Sequence, residues 1–173
     1  MQQTTQLSEK AYNLAKQYEG EKGHCSQCTL VAIMETLGNV DPNLVKAADG
    51  LTGGTVMSTQ GTCGALAAGI MAISTITGRS YQAFTDGGAD HTWEHVQKLY
   101  TTFVDKYGSP VGCNVQKKIF GRSYDLQNPE ERKMFEEAGA HVDKCPFVCA
   151  NVASWTVEII SEMDQSALPN QAK

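Results

Sequence analysis

The sequence predicts an all-α fold, a single-domain helical bundle of about six to eight helices over residues 1–173. Apolar residues recur at helical spacing, which is typical of amphipathic helices. Glycine, with 16 residues in the chain, recurs where these apolar stretches end. No segment shows the alternation of apolar and polar residues that predicts a half-buried strand. We expect one domain because the chain contains no repeat or linker and domains commonly have about 100–150 residues.

The first half of the chain predicts four helices, each with a start or stop signal. Ser8 is placed to cap the first helix, and Asp41, followed by proline, begins the third. A glycine-rich loop over 51–62 precedes the fourth helix, and its glycines would let the loop pass close to neighbouring residues. In order, the helices are expected from Ser8, over 24–37, from Asp41 to before Gly50, and over 63–77.

The second half predicts four more helices. Asp90 is placed to cap a long helix that ends at Gly108. Three further helices are expected after Cys113, from Asn128, and from Cys145 to about residue 163. The apolar stripe of the long helix is expected to comprise Trp93, Val96, Tyr100, Phe103 and Tyr107.

Charge and hydropathy exclude several classes of partner. The formal net charge is -5, whereas a nucleic-acid-binding surface needs a basic stripe, so no nucleic-acid partner is expected. The most apolar stretch, 64–77, is shorter than the ~20 residues that span a bilayer, so no membrane insertion is expected. No secretory signal is recognisable at Met1. We therefore expect a cytoplasmic protein, in which clustered cysteines bind metal or cycle between redox states more often than they form permanent disulfides.

Four of the six cysteines lie at or near predicted helix starts. The free N–H groups and the positive end of the helix dipole favour negative charge there. A thiol in this position is expected to have a lowered pKa, and its thiolate is both the nucleophile and the metal ligand. We expect the four to converge on one electropositive pocket. They are Cys25, Cys63, Cys113 and Cys145.

The other two cysteines lie one helical turn from two of these, in a CxxC (Cys25 and Cys28) and a CxxxC (Cys145 and Cys149). Both spacings place the two sulfurs on one helix face. Covalent haem is not expected, because Thr29 stands where a c-type haem site needs histidine. The sequence leaves open whether Cys28 and Cys149 pair, bind a second metal or only pack.

Taken together, these residues resemble a family of proteins for which redox activity has been suggested and which is named for four cysteines. The second cysteine of that family lies in a Cys-Gly-Ala-x-x-Gly motif, and here Ala68 stands at the closing position with Gly69 next. The resemblance covers about residues 23–160. The matching segments are 25–27, 63–65, Cys113 and Cys145.

The resemblance implies redox activity through the four matching cysteines, and the family is similar to the iron-binding region of split-Soret cytochromes. Four thiolates are the usual ligands of an iron–sulfur cluster. We therefore expect Cys25, Cys63, Cys113 and Cys145 to hold such a cluster, with [2Fe–2S] as the expected type, for electron transfer or redox sensing. The expected partner is a redox protein or a small thiol or electron carrier, and the expected assembly is a homodimer.

Two other classes of function stay open. A thiol–disulfide oxidoreductase would use Cys25, Cys28 and Cys63 without metal, and a structural zinc protein would act as an interaction module. If the chain is an enzyme, it is expected to be an oxidoreductase. Residues 91–95 spell the HxxEH pattern of zinc peptidases, but His91 and His95 are better explained as part of an exposed helix face.

Overall fold

The structure, a computed structural model, describes residues 2–88 and 93–163, and within them it contains α-helices and no β-strand. The all-α prediction is confirmed. A short 3₁₀ turn (Asp49–Leu51) precedes the glycine-rich loop, and a π-helical turn (Ala140–Lys144) leads into the last helix. The helices are α1 (Gln2–Lys22), α2 (Cys25–Leu37), α3 (Pro42–Ala47), α4 (Gly64–Thr77), α5 (Tyr81–Thr85), α6 (Glu94–Tyr107), α7 (Gly112–Phe120), α8 (Pro129–Glu137) and α9 (Cys145–Glu162).

Two features of the helices differ from those expected, namely the start of α1 and the presence of α5. Ser8 does not cap α1, which begins at Gln2; its side chain is buried inside the helix, and its hydroxyl donates to the Thr5 carbonyl oxygen. Helix α5 has only five residues and was not predicted, since so short an element carries no periodic pattern. Its one local signal is Ser80, whose hydroxyl accepts a hydrogen bond from the Ala83 N–H.

The apolar stripe of α6 agrees with the prediction in part: Phe103 and Tyr107 are buried and Val96 packs against the core, but Leu99 is buried in place of Tyr100. Leu99, Phe103 and Tyr107, spaced four residues apart, are its buried residues. The predicted core residue Trp93 is 73% exposed, and Tyr100 is 43% exposed. By their spacing, the aromatic rings of Trp93 and Tyr100 both fit the predicted apolar stripe. Spacing alone therefore did not decide which residues of α6 are buried. Asp90, the expected cap, lies outside the described residues.

Other helix ends follow the sequence signals. The Asp41 carboxylate accepts hydrogen bonds from the backbone N–H groups of the first turn of α3. The Asn128 side chain does the same at the start of α8. Helix α2 ends at Gly38, which adopts the left-handed conformation that glycine favours.

The main core forms where α1 packs along α9 and where α2, α4 and α6 cover the other sides of this pair. Leu30, Leu66 and Phe103 are completely buried in it. Each such side chain contributes about 1.5–3 kcal/mol through burial of its apolar surface. Helix α4 approaches α6 and α9 closely at Gly69, where an added Cβ would lie 2.7 Å from Leu99 Cδ2.

A second, smaller apolar cluster lies beside the main core. Tyr124, Leu126 and Phe135 are buried in it, and Met57 and Cys145 pack against it. The space between the main core and this cluster contains the candidate site. None of the described helices combines the length and apolar character needed to cross a membrane.

Candidate functional site

A cavity of about 710 Å³ lies between the two apolar clusters. Its wall includes the first residue of α2, the residue that precedes α4, and the first two turns of α9. These elements bring four thiols to one space, although the first and the last of them are 124 residues apart in the chain. The thiols belong to Cys25, Cys63, Cys145 and Cys149.

All four cysteines predicted at helix starts do lie at helix starts, and three of them line the cavity. Cys113, the second residue of α7, is not among the lining residues. Its sulfur lies 3.8 Å from Asn114 Oδ1, although the preceding residue, Gly112, does line the cavity. Cys149 takes a place in the wall that the sequence analysis did not assign, and the CxxxC spacing after Cys145 was the signal for it.

Cys149 is buried and Cys25, Cys63 and Cys145 are half-buried, and all four have raised pKa values rather than the lowered values that helix starts predicted. None of the described cysteines forms a disulfide. Burial raises the pKa of Cys63, and it raises the pKa of Cys25, Cys145 and Cys149 well above the ordinary value. The predicted lowering of the thiol pKa is therefore wrong for Cys25, Cys63 and Cys145, because the loss of hydration outweighs the helix-start effect.

Backbone N–H groups nevertheless point at two of these sulfurs. The Gly53 N–H lies near the Cys25 sulfur and lowers its pKa, and the N–H groups of Ala65 and Leu66, in the first turn of α4, do the same for Cys63 without a regular capping bond. Each N–H group thus opposes the effect of burial on the thiol pKa. These donors would stabilise a thiolate once its proton has left.

The loop before α4 adopts an unusual left-handed conformation that brings Gly53 to Cys25. Positive φ angles extend over five successive residues, Gly53 to Met57, and the glycine pair accounts for only the first two. Each non-glycine residue in this conformation costs about 1–2 kcal/mol. In the same loop, the Thr59 carbonyl oxygen accepts a hydrogen bond from the Cys113 N–H, at 2.7 Å. The glycines thus bring the loop against the cysteine site, as predicted, and backbone strain of this kind is typical of functional sites.

A buried carboxylate faces the same cavity. Glu19 of α1 is only 2% exposed, and its Oε1 lies 3.3 Å from Nδ1 of His141. Its other oxygen, Oε2, is buried without a hydrogen-bond partner. The carboxylate raises the pKa of His141 and adds to the raised pKa values of the four cavity thiols. Neither residue was singled out from the sequence, since a single Glu in an amphipathic helix carries no distinguishing signal.

Cys28 lies near this carboxylate but outside the cavity wall. Its thiol donates to the carbonyl oxygen of Gly23. Burial, followed by the nearby charge of Glu19, raises the pKa of Cys28 to about 12. Cys28 is therefore a protonated, packed thiol at neutral pH.

Single metal ions have no ready-made site in the described part of the chain. No group of three or more His, Cys, Asp or Glu side chains there is arranged to hold a metal ion. His91, the first histidine of the HxxEH pattern, lies outside the described residues. An iron–sulfur cluster would instead be held by cysteine thiolates alone. Four free thiols around one cavity, with N–H donors at two of them, fit the donor chemistry of a cluster.

Comparison with known proteins identifies the family. The family model described as "Putative redox-active protein (C_GCAxxG_C_C)" matches residues 23–162. The chain belongs to the C_GCAxxG_C_C family. The resemblance inferred from the sequence is thereby confirmed, and the match extends from just before α2 to the end of α9. No curated protein and no solved structure matches the chain.

Proposed function

We propose that this C_GCAxxG_C_C protein holds an iron–sulfur cluster in its thiol cavity, with [2Fe–2S] as the expected type, and serves in electron transfer or redox sensing. The observation that carries the proposal is the gathering of four free thiols in one desolvated space, with backbone donors at Cys25 and Cys63. Such a cluster, when bound, supplies one-electron exchange. A redox partner protein or a small electron carrier would give or take that electron.

The raised pKa values favour metal chemistry over free thiol chemistry. A buried thiol that keeps its proton at neutral pH is a poor nucleophile, since thiol–disulfide exchange begins with a thiolate. Iron can displace this proton, because a thiol that coordinates a metal is deprotonated. The N–H groups of Gly53, Ala65 and Leu66 would then stabilise the sulfur charge.

The residue set that would hold the cluster includes Cys25, Cys63 and Cys145, which line the cavity. The family pattern adds Cys113, which begins α7 one residue after a lining glycine. Cys149 is the competing fourth ligand, because its thiol already lines the cavity. The zinc alternative is less well supported, because the described residues form no group that could hold a single ion.

The visible absorption spectrum of the anaerobically purified protein, recorded before and after dithionite, tests the proposal. We expect broad visible bands that bleach on reduction, together with iron and acid-labile sulfide in the protein. Cys63→Ser should lose the bands and the iron, whereas Cys28→Ser, which changes a thiol outside the cavity wall, should keep both. Comparing Cys113→Ser with Cys149→Ser then identifies the fourth ligand.

A protein that stays colourless after reconstitution with iron and sulfide would contradict the cluster. That result would favour the thiol–disulfide alternative, in which Cys25 attacks a substrate disulfide and Cys28, one turn along α2, resolves the mixed disulfide. In that reaction the two thiols lose two electrons and two protons, and the substrate disulfide gains them. A thiol count that falls reversibly by two would then be expected on mild oxidation without metal.

A further inference from the structure

The cavity offers a second kind of site, which does not depend on iron. We infer that it binds a small organic cation, a primary amine on an apolar body, with the ammonium group on Glu19. Glu19 is not one of the proposed cluster ligands. The inference therefore goes beyond the proposed function and can fail or succeed independently of it.

The primary observation is the unpartnered oxygen of a buried carboxylate. Glu19 Oε1 faces His141 at 3.3 Å, but Oε2, buried in the cavity wall, has no hydrogen-bond partner among the described residues, since the nearby Cys28 thiol donates to the Gly23 carbonyl oxygen. Buried polar atoms in native proteins nearly always have a partner, and an exception indicates a water, an ion or a ligand at that point. A charged acceptor without a donor is especially costly to bury. The atom that completes this site is thus a hydrogen-bond donor.

The dimensions and walls of the cavity favour an organic ligand. Its volume of about 710 Å³ lies in the range of about 300–1,000 Å³ that is typical of small-molecule sites. Beyond the thiols, the wall is formed by apolar side chains of both clusters, including Met57, Val115, Leu126 and Phe135. A ligand with an apolar body would bury surface against these side chains while its polar end reaches Glu19.

The charges around the cavity favour a cation over a neutral or anionic ligand. Four carboxylates line it, against one lysine and one arginine, with two histidines besides. An ammonium group placed on Glu19 gains a charge-assisted hydrogen bond, which is stronger than the bond of a neutral donor.

Calorimetric titration of the full-length protein with three probes of one shape tests the inference. The probes are benzylamine, benzyl alcohol and benzoate, which carry a cation, a neutral donor and an anion on the same ring. We expect benzylamine to bind at least tenfold more tightly than the other two, with and without iron in the protein. Equal affinity for all three, or no binding of benzylamine, would overturn the inference and indicate that water completes the site.

Two variants and one mapping experiment locate the binding. Glu19→Gln should weaken the binding of benzylamine at least tenfold, whereas Glu9→Gln, at an exposed position of the same helix, should leave the binding unchanged.

If Glu19→Gln does not fold, the wild-type protein still provides a test through alkylation by iodoacetamide, followed by mass spectrometry. Benzylamine should slow the alkylation of Cys63 and Cys145 but not that of Cys113, which does not line the cavity. If benzylamine slows alkylation equally at all three cysteines, or at none of them, benzylamine binds elsewhere.

Discussion

Gly64, which follows Cys63 and begins α4, is the position at which α4 contacts the start of α2. A Cβ at Gly64 would lie 2.6 Å from Cys25 Sγ and 2.9 Å from the Leu51 carbonyl oxygen. Both distances are below any normal contact of a carbon atom. The cysteine side chain can rotate away, but the backbone carbonyl can move only with the loop that carries it. We therefore expect Gly64→Ala to separate α4 from its neighbours and to displace the Cys25 thiol.

The magnitude follows from two opposing effects. Adding a methyl group to a closely packed site costs about 1–3 kcal/mol. Replacing glycine by alanine within a helix recovers at most about 0.5–1 kcal/mol, and less in a first turn. The free energy of unfolding of Gly64→Ala should therefore fall by about 1–2 kcal/mol. Bound iron should fall with it, because Cys25 is a proposed ligand.

Urea unfolding followed by far-ultraviolet circular dichroism measures this change, with iron content determined on the same samples. Gly50→Ala is the matched control, because an added Cβ there meets nothing within 4 Å and the residue does not have a positive φ. If the two variants have the same unfolding midpoint and the same iron content, the close approach of Gly64 to Cys25 and Leu51 is not needed for stability or for iron binding.

Three further predictions concern the core, a buried hydrogen bond and pH. Phe103→Ala should lower the free energy of unfolding by about 3–5 kcal/mol in urea titrations, because the ring is completely buried. Ser26→Ala should cost about 1–3 kcal/mol in the same assay, since its buried hydroxyl lies 2.8 Å from Thr52 Oγ1 and the variant leaves that atom without this partner. The pKa of Cys28 is raised from 9.0 to about 12, so the stability that its protonated thiol provides is present below pH 9.0 and is lost as the pH rises toward 12. Metal-free wild-type protein should accordingly lose more stability above pH 9.0 than Cys28→Ala does, and parallel curves would contradict this.

The sequence predicted those features of the fold that depend on local signals. The caps at Asp41 and Asn128 and the stop at Gly38 are each encoded within a few residues, and the structure has them. The register of α6 depends instead on what packs against it, so Trp93 could not be distinguished from a core residue by spacing. Tertiary packing decides such cases, because it outweighs local preference.

The site was predicted in its location but not in its electrostatics. Helix ends can be read from the sequence, and Cys25, Cys63 and Cys145, which were placed there, line one cavity, whereas Cys113 does not. The pKa direction was wrong because it depends on burial, which only the assembled fold determines. Glu19 was missed for the same reason: its importance comes from burial beside the thiols, not from any motif.

The packing of α1 along α9 has a consequence for how the site is made in the cell. Glu19 belongs to the first described helix, and Cys145 and Cys149 belong to the last. A ribosome releases the chain from its N-terminal end, so the cavity cannot close until α9 has emerged and docked. Contacts over such long sequence separations also form slowly. Iron and sulfide of the proposed cluster are thus expected to enter only after α9 has docked, and until then the thiols are exposed to oxidants and other metal ions.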